Sequence, residues 1–355
     1  MRHPNRNDGR LSRRDVLRGL AAVAATTALP TMPAGAQPAD TGGSGDNSDG
    51  DANARRRALS KGLQWLEQKQ HDDGGFEGGK YGFDPAVTAL AGQAFLAEGS
   101  TPGRGEYGDA LARCVAQVTS AAGESGYITV RHEGRASTMY SHGYATNFLA
   151  AAYRASMRDP LRGPVERSVK LLADVQSDEG GWRYSPSKAA GADVSVTACQ
   201  LLALVSADRS GIDVPPETID RAVAYLTSCQ VEDGGFCYVR GRGGSALPRS
   251  AAALAALEAA GRSMHEVLQR GRDYLDAHRP TPDEALRQPH QFYWAYFASQ
   301  AMCRQANKSH TAWRRLLDGA LFSSQGADGS WNDGAIGPAY ATAIACYVLG
   351  QTSPE

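Results

Sequence analysis

The sequence predicts an all-α fold in which six helical hairpins close into a ring. Three observations support this prediction. A short motif recurs at wide spacing, a charged amphipathic pattern precedes each clear copy of it, and an Ala-rich pattern with few charges follows each copy. No alternating runs of β-branched residues, which are typical of strands, compete with these helical patterns.

The motif consists of a glutamine, acidic residues, a glycine turn and, in most copies, an aromatic ring. The copies are QHDDGGF at 70–76, QSDEGGW at 176–182, QVEDGGF at 230–236 and QGADGSW at 325–331. Their starts are separated by 106, 54 and 95 residues, so two gaps are near-doubles of the third. Each long gap therefore indicates one degenerate copy, at 117–127 and around 274–290, which makes six repeats.

Two sets of helices alternate along the chain. The charged, amphipathic helices are predicted at 55–70, 107–120, 162–175, 216–229, 264–278 and 310–324. The apolar helices are predicted at 84–98, 140–156, 193–208, 248–260, 291–305 and 338–350. Because the second set is apolar on nearly all sides, protein must surround it. An open solenoid and a closed ring both satisfy this condition, but a solenoid needs polar end repeats and the last apolar helix is not polar, so the ring is favoured.

The motif itself is interpreted as structural. Its glycines permit the positive φ that ends a helix tightly, and its glutamine can bridge exposed backbone groups at a neighbouring helix end.

The N-terminus predicts export. Arg13 and Arg14 precede a mild apolar run, and a small-residue site ends at Ala36, which together are typical of a twin-arginine signal peptide over 1–36. The apolar run is too short to span a membrane, so no transmembrane segment is expected in the mature chain. Residues 37–54 are predicted to be a flexible Gly/Asp/Ser linker, 55–352 are predicted to form the ring, and the protein is expected in the periplasm or outside the cell.

The Q-x-x-x-G-x-W pattern of the motifs resembles that of the terpenoid cyclase and protein prenyltransferase superfamily. The resemblance covers about 55–350 and implies an α/α toroid, also called an α6/α6 barrel. In squalene-type cyclases, a D-x-D-D-T-A run at the start of an inner helix supplies the acid that protonates the polyene. The matching stretch is DVSVTA at 193–198, where Ser195 and Val196 replace two aspartates. A serine hydroxyl does not replace that acid.

The resemblance to prenyltransferases implies a zinc ion held by a D-x-C pair and a histidine. Asp193 matches the aspartate, but Ser195 replaces the cysteine and the last apolar helix begins GPAYATA, without histidine. We therefore expect no cofactor and no metal, apart from a weak possibility of a metal near His142.

Candidate site residues are sought where the inner helices begin, because free N–H groups and positive potential gather there. His142 precedes Thr146 by four residues, as Asp84 and Asp193 precede Thr88 and Thr197. This spacing predicts that His142, Asp84 and Asp193 lie at one level as a catalytic acid–base set. The alternative is that both aspartates cap their own helices and His142 packs beside them.

Ligand-binding candidates come from the same end of the inner helices. They are Tyr140, Ser195, Arg249, His290, Tyr293 and Tyr340. The leading hypothesis is an elongated apolar or isoprenoid-like ligand in a deep, aromatic-lined pocket at this end. The alternatives are a non-catalytic envelope scaffold or interaction module, and an acid–base enzyme acting on a polysaccharide. A net charge of −1 gives no reason to expect nucleic acid.

Overall fold

The computed structural model describes residues 46–133, 135–156, 159–286, 290–303 and 308–351. The α-helices in these ranges are α1 (Asp46–Lys69), α2 (Pro85–Glu98), α3 (Gly108–Ser120), α4 (Met139–Ser156), α5 (Asp159–Val175), α6 (Val194–Asp208), α7 (Pro216–Ser228), α8 (Leu247–Ala260), α9 (His265–Ala277), α10 (Pro282–Ala285), α11 (Gln291–Met302), α12 (Lys308–Ser324) and α13 (Pro338–Gly350). A single 3-10 turn, Gly79–Tyr81, and a two-stranded antiparallel hairpin, β1 (Arg131–His132) and β2 (Arg135–Ala136), complete the described elements.

Six apolar helices form the inner ring. In order around the ring they are α2, α4, α6, α8, α11 and α13, and α13 packs back against α2. Most residues of these helices are buried, as expected for helices that are apolar on nearly all sides. The predicted all-α toroid is therefore confirmed, and it is closed.

The outer helices each pack mainly on the inner helix that precedes them in the chain. Thus α3 lies on α2, α5 on α4, α7 on α6, α9 on α8 and α12 on α11, whereas α1 lies on α13 at the far end of the chain. The Arg55 guanidinium of α1 holds this junction. It donates to both Asp318 carboxylate oxygens, at 2.9 and 2.8 Å, and to the carbonyls of Val348, Leu349 and Gln351.

The four motif glutamines make one repeated bridge. Each side-chain Nε2 donates to the carbonyl of the motif's own glycine and to a carbonyl of the next outer helix around the ring. The carbonyl pairs are Gly74 and Ala110 for Gln70, Gly180 and Thr218 for Gln176, Gly234 and Val267 for Gln230, and Gly329 and Ala58 for Gln325. The motif therefore joins neighbouring repeats, as its structural interpretation expects.

One glycine shows why the motif needs this residue. Gly180 has a φ of +94°, and a Cβ built there would lie 2.3 Å from the Arg221 carbonyl oxygen. Both the backbone conformation and the contact exclude a larger side chain.

The degenerate repeats differ in how far they keep this turn. In the first, Gly126 has a φ of +84° and Ile128 stands in place of the aromatic ring. In the second, the short helix α10 replaces the glycine turn, and Thr281 and Glu284 form its capping box.

Helix boundaries agree closely with the sequence prediction, with one larger difference. Helix α1 begins at Asp46, so residues 46–54 of the predicted linker are helical. The packed part of α1 supplies the nucleus from which the helix extends. The predicted signal peptide and residues 37–45 lie outside the described residues.

Candidate functional site

Asp193 caps α6 and is fully buried. Its Oδ1 accepts the backbone N–H groups of Ser195, at 2.7 Å, and Val196, at 3.0 Å. Its Oδ2 accepts the Tyr184 hydroxyl at 3.0 Å, and that hydroxyl also bonds the Tyr238 hydroxyl at 2.7 Å. Both carboxylate oxygens are therefore engaged in holding the helix start and the two loop tyrosines.

Asp84 likewise caps α2. Its Oδ1 accepts the Ala86 N–H at 2.8 Å, and its Oδ2 accepts the Ser141 hydroxyl of α4 at 2.9 Å. The capping alternative accounts for the bond from Ala86, and the bond from Ser141 ties α4 to the start of α2. The catalytic assignment of Asp84 and Asp193 stays a prediction that their hydrogen bonding does not favour.

His142 does not lie at the level of the two aspartates, so the predicted register is wrong by one helical turn. Its Nδ1 accepts the Ile128 backbone N–H at 3.2 Å. In the neighbouring repeat, the Thr197 hydroxyl accepts the equivalent N–H, that of Trp182, at 3.0 Å. His142 is thus the counterpart of Thr197 and not of Asp193.

The cause of this difference is the start of α4. The helix begins at Met139, and the His142 N–H bonds the carbonyl of Thr138. Thr138 therefore holds the position that Asp84 and Asp193 hold in their repeats.

The imidazole of His142 is held neutral. It is fully buried, and this burial lowers its pKa from the ordinary 6.5 to about 3. Its Nε2 faces the Ser168 backbone without a hydrogen bond of regular geometry. Because Nδ1 already accepts Ile128, it is not open to a metal, and no group of three or more His, Cys, Asp or Glu side chains in the described ranges is placed to hold one. These surroundings do not fit the metal considered near His142.

A tyrosine cluster occupies the interior beside the helix starts. We define it as Tyr140, Tyr144, Tyr293 and Tyr340. Burial raises the pKa of all four phenols. The Tyr144 and Tyr293 hydroxyls are buried and make no hydrogen bond of regular geometry in the described part of the chain. Ser195 lies against Tyr140 and Tyr293, and Cys199 lies against Tyr144.

The cluster fills the end of the ring where an open pocket was expected. The rings of Tyr140 and Tyr293 meet edge to face at 6.4 Å, and below them the Tyr144 ring meets Tyr296 at 5.6 Å and Phe297 at 6.4 Å. The gap beside Tyr144, Tyr296 and Phe297 has no room for a water molecule. Aromatic side chains four residues apart on α4 and α11 thus occupy space in which the sequence predicts a deep pocket, and that pocket stays a prediction.

Two predicted ligand-binding residues stand apart from the cluster. The Arg249 guanidinium donates to the carbonyls of Phe236, at 3.0 Å, and Gly244, at 2.8 Å, so it holds its own loop. His290 is exposed and precedes α11 with a φ of +58°. Tyr140, Ser195, Tyr293 and Tyr340 are brought together.

Tyr144, Tyr184 and Tyr238 are not among the site residues that the sequence predicts. Signals for them exist. Tyr144 follows Tyr140 by four residues on one helix face, and Tyr184 and Tyr238 each follow a motif ring by two residues. Tyr184 and Tyr238 remain 38% and 36% exposed and form an aromatic rim outside the cluster.

A cavity of about 220 Å³ lies at the opposite end of the ring, where the inner helices finish. Its lining residues are Gln93, Leu96, Ala97, Asn147, Ala151, Arg154, Leu202, Val205, Ser206, Arg209, Ala259, Gln300 and Tyr347.

Helices in the described ranges include none that combines the length and the hydropathy needed to cross a bilayer. Residues 10–30 match the model for the twin-arginine translocation pathway signal sequence, which confirms the prediction of export by this route.

Comparison with known proteins identifies relatives of the toroid. Drimenyl diphosphate synthase of Streptomyces showdoensis is 28% identical over 207 residues, which are 55% of this chain and 34% of that protein, so the chain spans about a third of the relative's length. The type II terpene cyclase MstE from Scytonema, as a variant in complex with geranylgeranyl dihydroxybenzoate, superposes with a TM-score of 0.63 at 14% identity over 85% of this chain and 98% of that one. An inactive variant of an alpha-1,6-mannanase of Salegentibacter sp. superposes with a TM-score of 0.62 at 8% identity over 84% of this chain and 98% of that one. Because a terpene cyclase and a mannanase share this architecture, the structural similarity shows the fold and not the reaction.

Residues 50–281, about two thirds of the chain, match the model of the prenyltransferase alpha-alpha toroid domain. Together with the closed ring and the glutamine bridges, this match shows that the protein belongs to the prenyltransferase alpha-alpha toroid family.

Proposed function

We propose that the exported toroid binds an isoprenoid-like apolar ligand at the inner-helix N-termini, between the tyrosine cluster and the aromatic rim. The observation that carries this proposal is the pair of buried hydroxyls on Tyr144 and Tyr293, which make no hydrogen bond of regular geometry and have only Cys199 and Ser195, respectively, beside them. An unsatisfied buried hydroxyl costs about 1–3 kcal/mol, and such a cost is typical of a functional site.

The chemistry of the surroundings suits an apolar chain. Tyr140 and Tyr293 are only partly buried and cover the interior, while Tyr184 and Tyr238 stand exposed above them. Aromatic rings offer large apolar area with few rotatable bonds, so they bind alkenes at low entropic cost. A ligand enters by displacing the rings of Tyr140 and Tyr293, and the freed space lies above Tyr144.

We propose binding without protonation of the ligand. The position that carries the acid in squalene-type cyclases holds Ser195, and the nearby Asp193 carboxylate is occupied by Ser195 N–H, Val196 N–H and the Tyr184 hydroxyl. Both oxygens of this carboxylate are thus already engaged as hydrogen-bond acceptors, and neither is directed at a ligand. The site therefore supports holding or carrying an isoprenoid.

Titration of the mature chain with geranylgeraniol, followed by calorimetry, tests this proposal. The variant Ser195→Trp places a bulky ring between Tyr140 and Tyr293, and we expect it to weaken binding by roughly tenfold or more. The matched control, Ser187→Trp, adds the same ring to an exposed loop at the same end and should bind as the wild type does. Mass spectrometry of organic extracts from the purified exported protein should also show an isoprenoid.

A result with no geranylgeraniol binding and no extracted lipid overturns the proposal. It would favour a non-catalytic scaffold or interaction module, which the side-chain filling around Tyr144 also supports. In that case alanine at His142, Asp84 or Asp193 should change stability only. Alpha-1,6-mannotriose in the same titration tests the polysaccharide hypothesis, and cell fractionation tests the proposed periplasmic or extracellular destination.

A further inference from the structure

We propose that the cavity at the C-terminal ends of the inner helices is a second binding site, which takes a small organic carboxylate. This cavity measures about 220 Å³ and lies at the end of the ring away from the tyrosine cluster. The observations that support it are its charge, its oriented amides and its apolar wall.

The charge of the lining favours an anion. Arg154 and Arg209 line the cavity, and among the described residues its lining includes no Asp or Glu. Arg209 is fixed at the rim, because its Nη2 donates to the Ala259 carbonyl at 2.7 Å. Helix C-termini carry partial negative charge, so an anion at this end of the ring needs cationic groups beside it. Among the described lining residues, Arg154 and Arg209 bring positive charge to the cavity.

The amides inside the cavity are oriented by Tyr296. Gln93 is 5% exposed, and its Oε1 accepts the Tyr296 hydroxyl at 2.7 Å, which leaves the NH₂ group to donate to a ligand. The Gln300 Nε2 donates to the Tyr296 carbonyl at 3.2 Å. Both buried side chains are thus held by one residue of α11, and Gln93 presents donors that suit a carboxylate.

The size and the apolar wall restrict the ligand further. Leu96, Ala151, Leu202 and Val205 line the cavity beside the polar groups. Pockets for drug-sized ligands measure about 300–1,000 Å³, so this smaller cavity suits a compact molecule of roughly ten non-hydrogen atoms. A carboxylate with a short aliphatic or aromatic body fits both the charge and the wall.

Calorimetric titration of the mature chain with benzoate tests the proposal, with benzamide and inorganic phosphate as comparison ligands. Benzoate should bind, and benzamide, which keeps the shape without the charge, should bind at least about tenfold more weakly. Phosphate, which keeps a charge without the apolar body, should also bind more weakly than benzoate.

Two variants and one matched control separate the site from general charge effects. Arg154→Gln should weaken benzoate binding roughly tenfold or more, and Ala151→Phe, which fills the cavity, should abolish it. The control Arg57→Gln removes an exposed arginine of α1 that does not line the cavity, and it should leave benzoate binding unchanged.

No benzoate binding by the wild type, equal binding by wild type and Arg154→Gln, or stronger binding of phosphate than of benzoate would each overturn the proposal. Ser195→Trp should retain benzoate binding, because the two sites lie at opposite ends of the ring. A result against the benzoate site can therefore be distinguished from a result against the isoprenoid site.

Discussion

The buried imidazole of His142 should make the toroid less stable as the pH is lowered. In the folded protein its pKa is about 3, against an ordinary 6.5, because burial disfavours the charged ring. Below pH 6.5 the unfolded chain therefore binds a proton that the folded chain does not. The stability contributed by neutral His142 is present above pH 6.5 and is lost progressively as the pH falls toward 3.

The size of this effect follows from the two pKa values. Between pH 7 and pH 5 the unfolded His142 becomes almost fully protonated while the folded one stays neutral, which costs about 2 kcal/mol of unfolding free energy. Other titrating groups add their own pH dependence, so the measurement needs a variant in which only this group is removed.

Urea unfolding of the wild type and of His142→Gln, followed by circular dichroism at pH 7 and pH 5, isolates the effect. Glutamine keeps an acceptor for the Ile128 N–H, so the variant should fold, and its loss of stability between the two pH values should be smaller by about 2 kcal/mol. The control His265→Gln changes an exposed histidine and should keep the wild-type loss. Equal losses in the wild type and His142→Gln would refute a buried, neutral His142.

The motif should respond strongly to changes in its glutamine and glycine. Gln176→Ala leaves two carbonyls without their donor and should cost about 2–4 kcal/mol in urea unfolding, whereas Gln269→Ala, on an exposed face, should stay within about 0.5 kcal/mol. Gly180→Ala drives a methyl group into the Arg221 carbonyl and should destabilise the protein more than Gly211→Ala, where φ is also positive but no atom lies within 4 Å. Equal costs for the two glycine variants would show that backbone conformation alone sets the requirement.

The sequence predicts the toroid well, because its strongest signals are local. Inner helices that are apolar on all sides must be surrounded by protein, and the spacing of the glutamine motif indicates the number of repeats. Helix α13, for example, is predicted at 338–350 and observed as Pro338–Gly350. The start of α1 is missed, because linker composition at 46–54 does not reveal a helix that extends from a packed segment.

The candidate site is less predictable, because it depends on how separate helices face one another. The sequence predicts the register of His142 from its spacing to Thr146 on the same helix, whereas the observed register follows from the start of α4 at Met139. The bond that His142 accepts from Ile128 on the preceding loop shows this register. The filling of the interior likewise depends on Tyr140 of α4 and Tyr293 of α11 meeting across the ring. No sequence pattern within a single helix predicts that contact between two helices.

The junction held by Arg55 bears on how the chain is made. Helix α1 is synthesised well before its partners, because Arg55 lies 263 residues before Asp318 and 293 residues before Val348. The ring therefore stays open until these late segments have been made, and such distant pairing is slow to form. A product truncated before Asp318 would lack the contact that closes the ring.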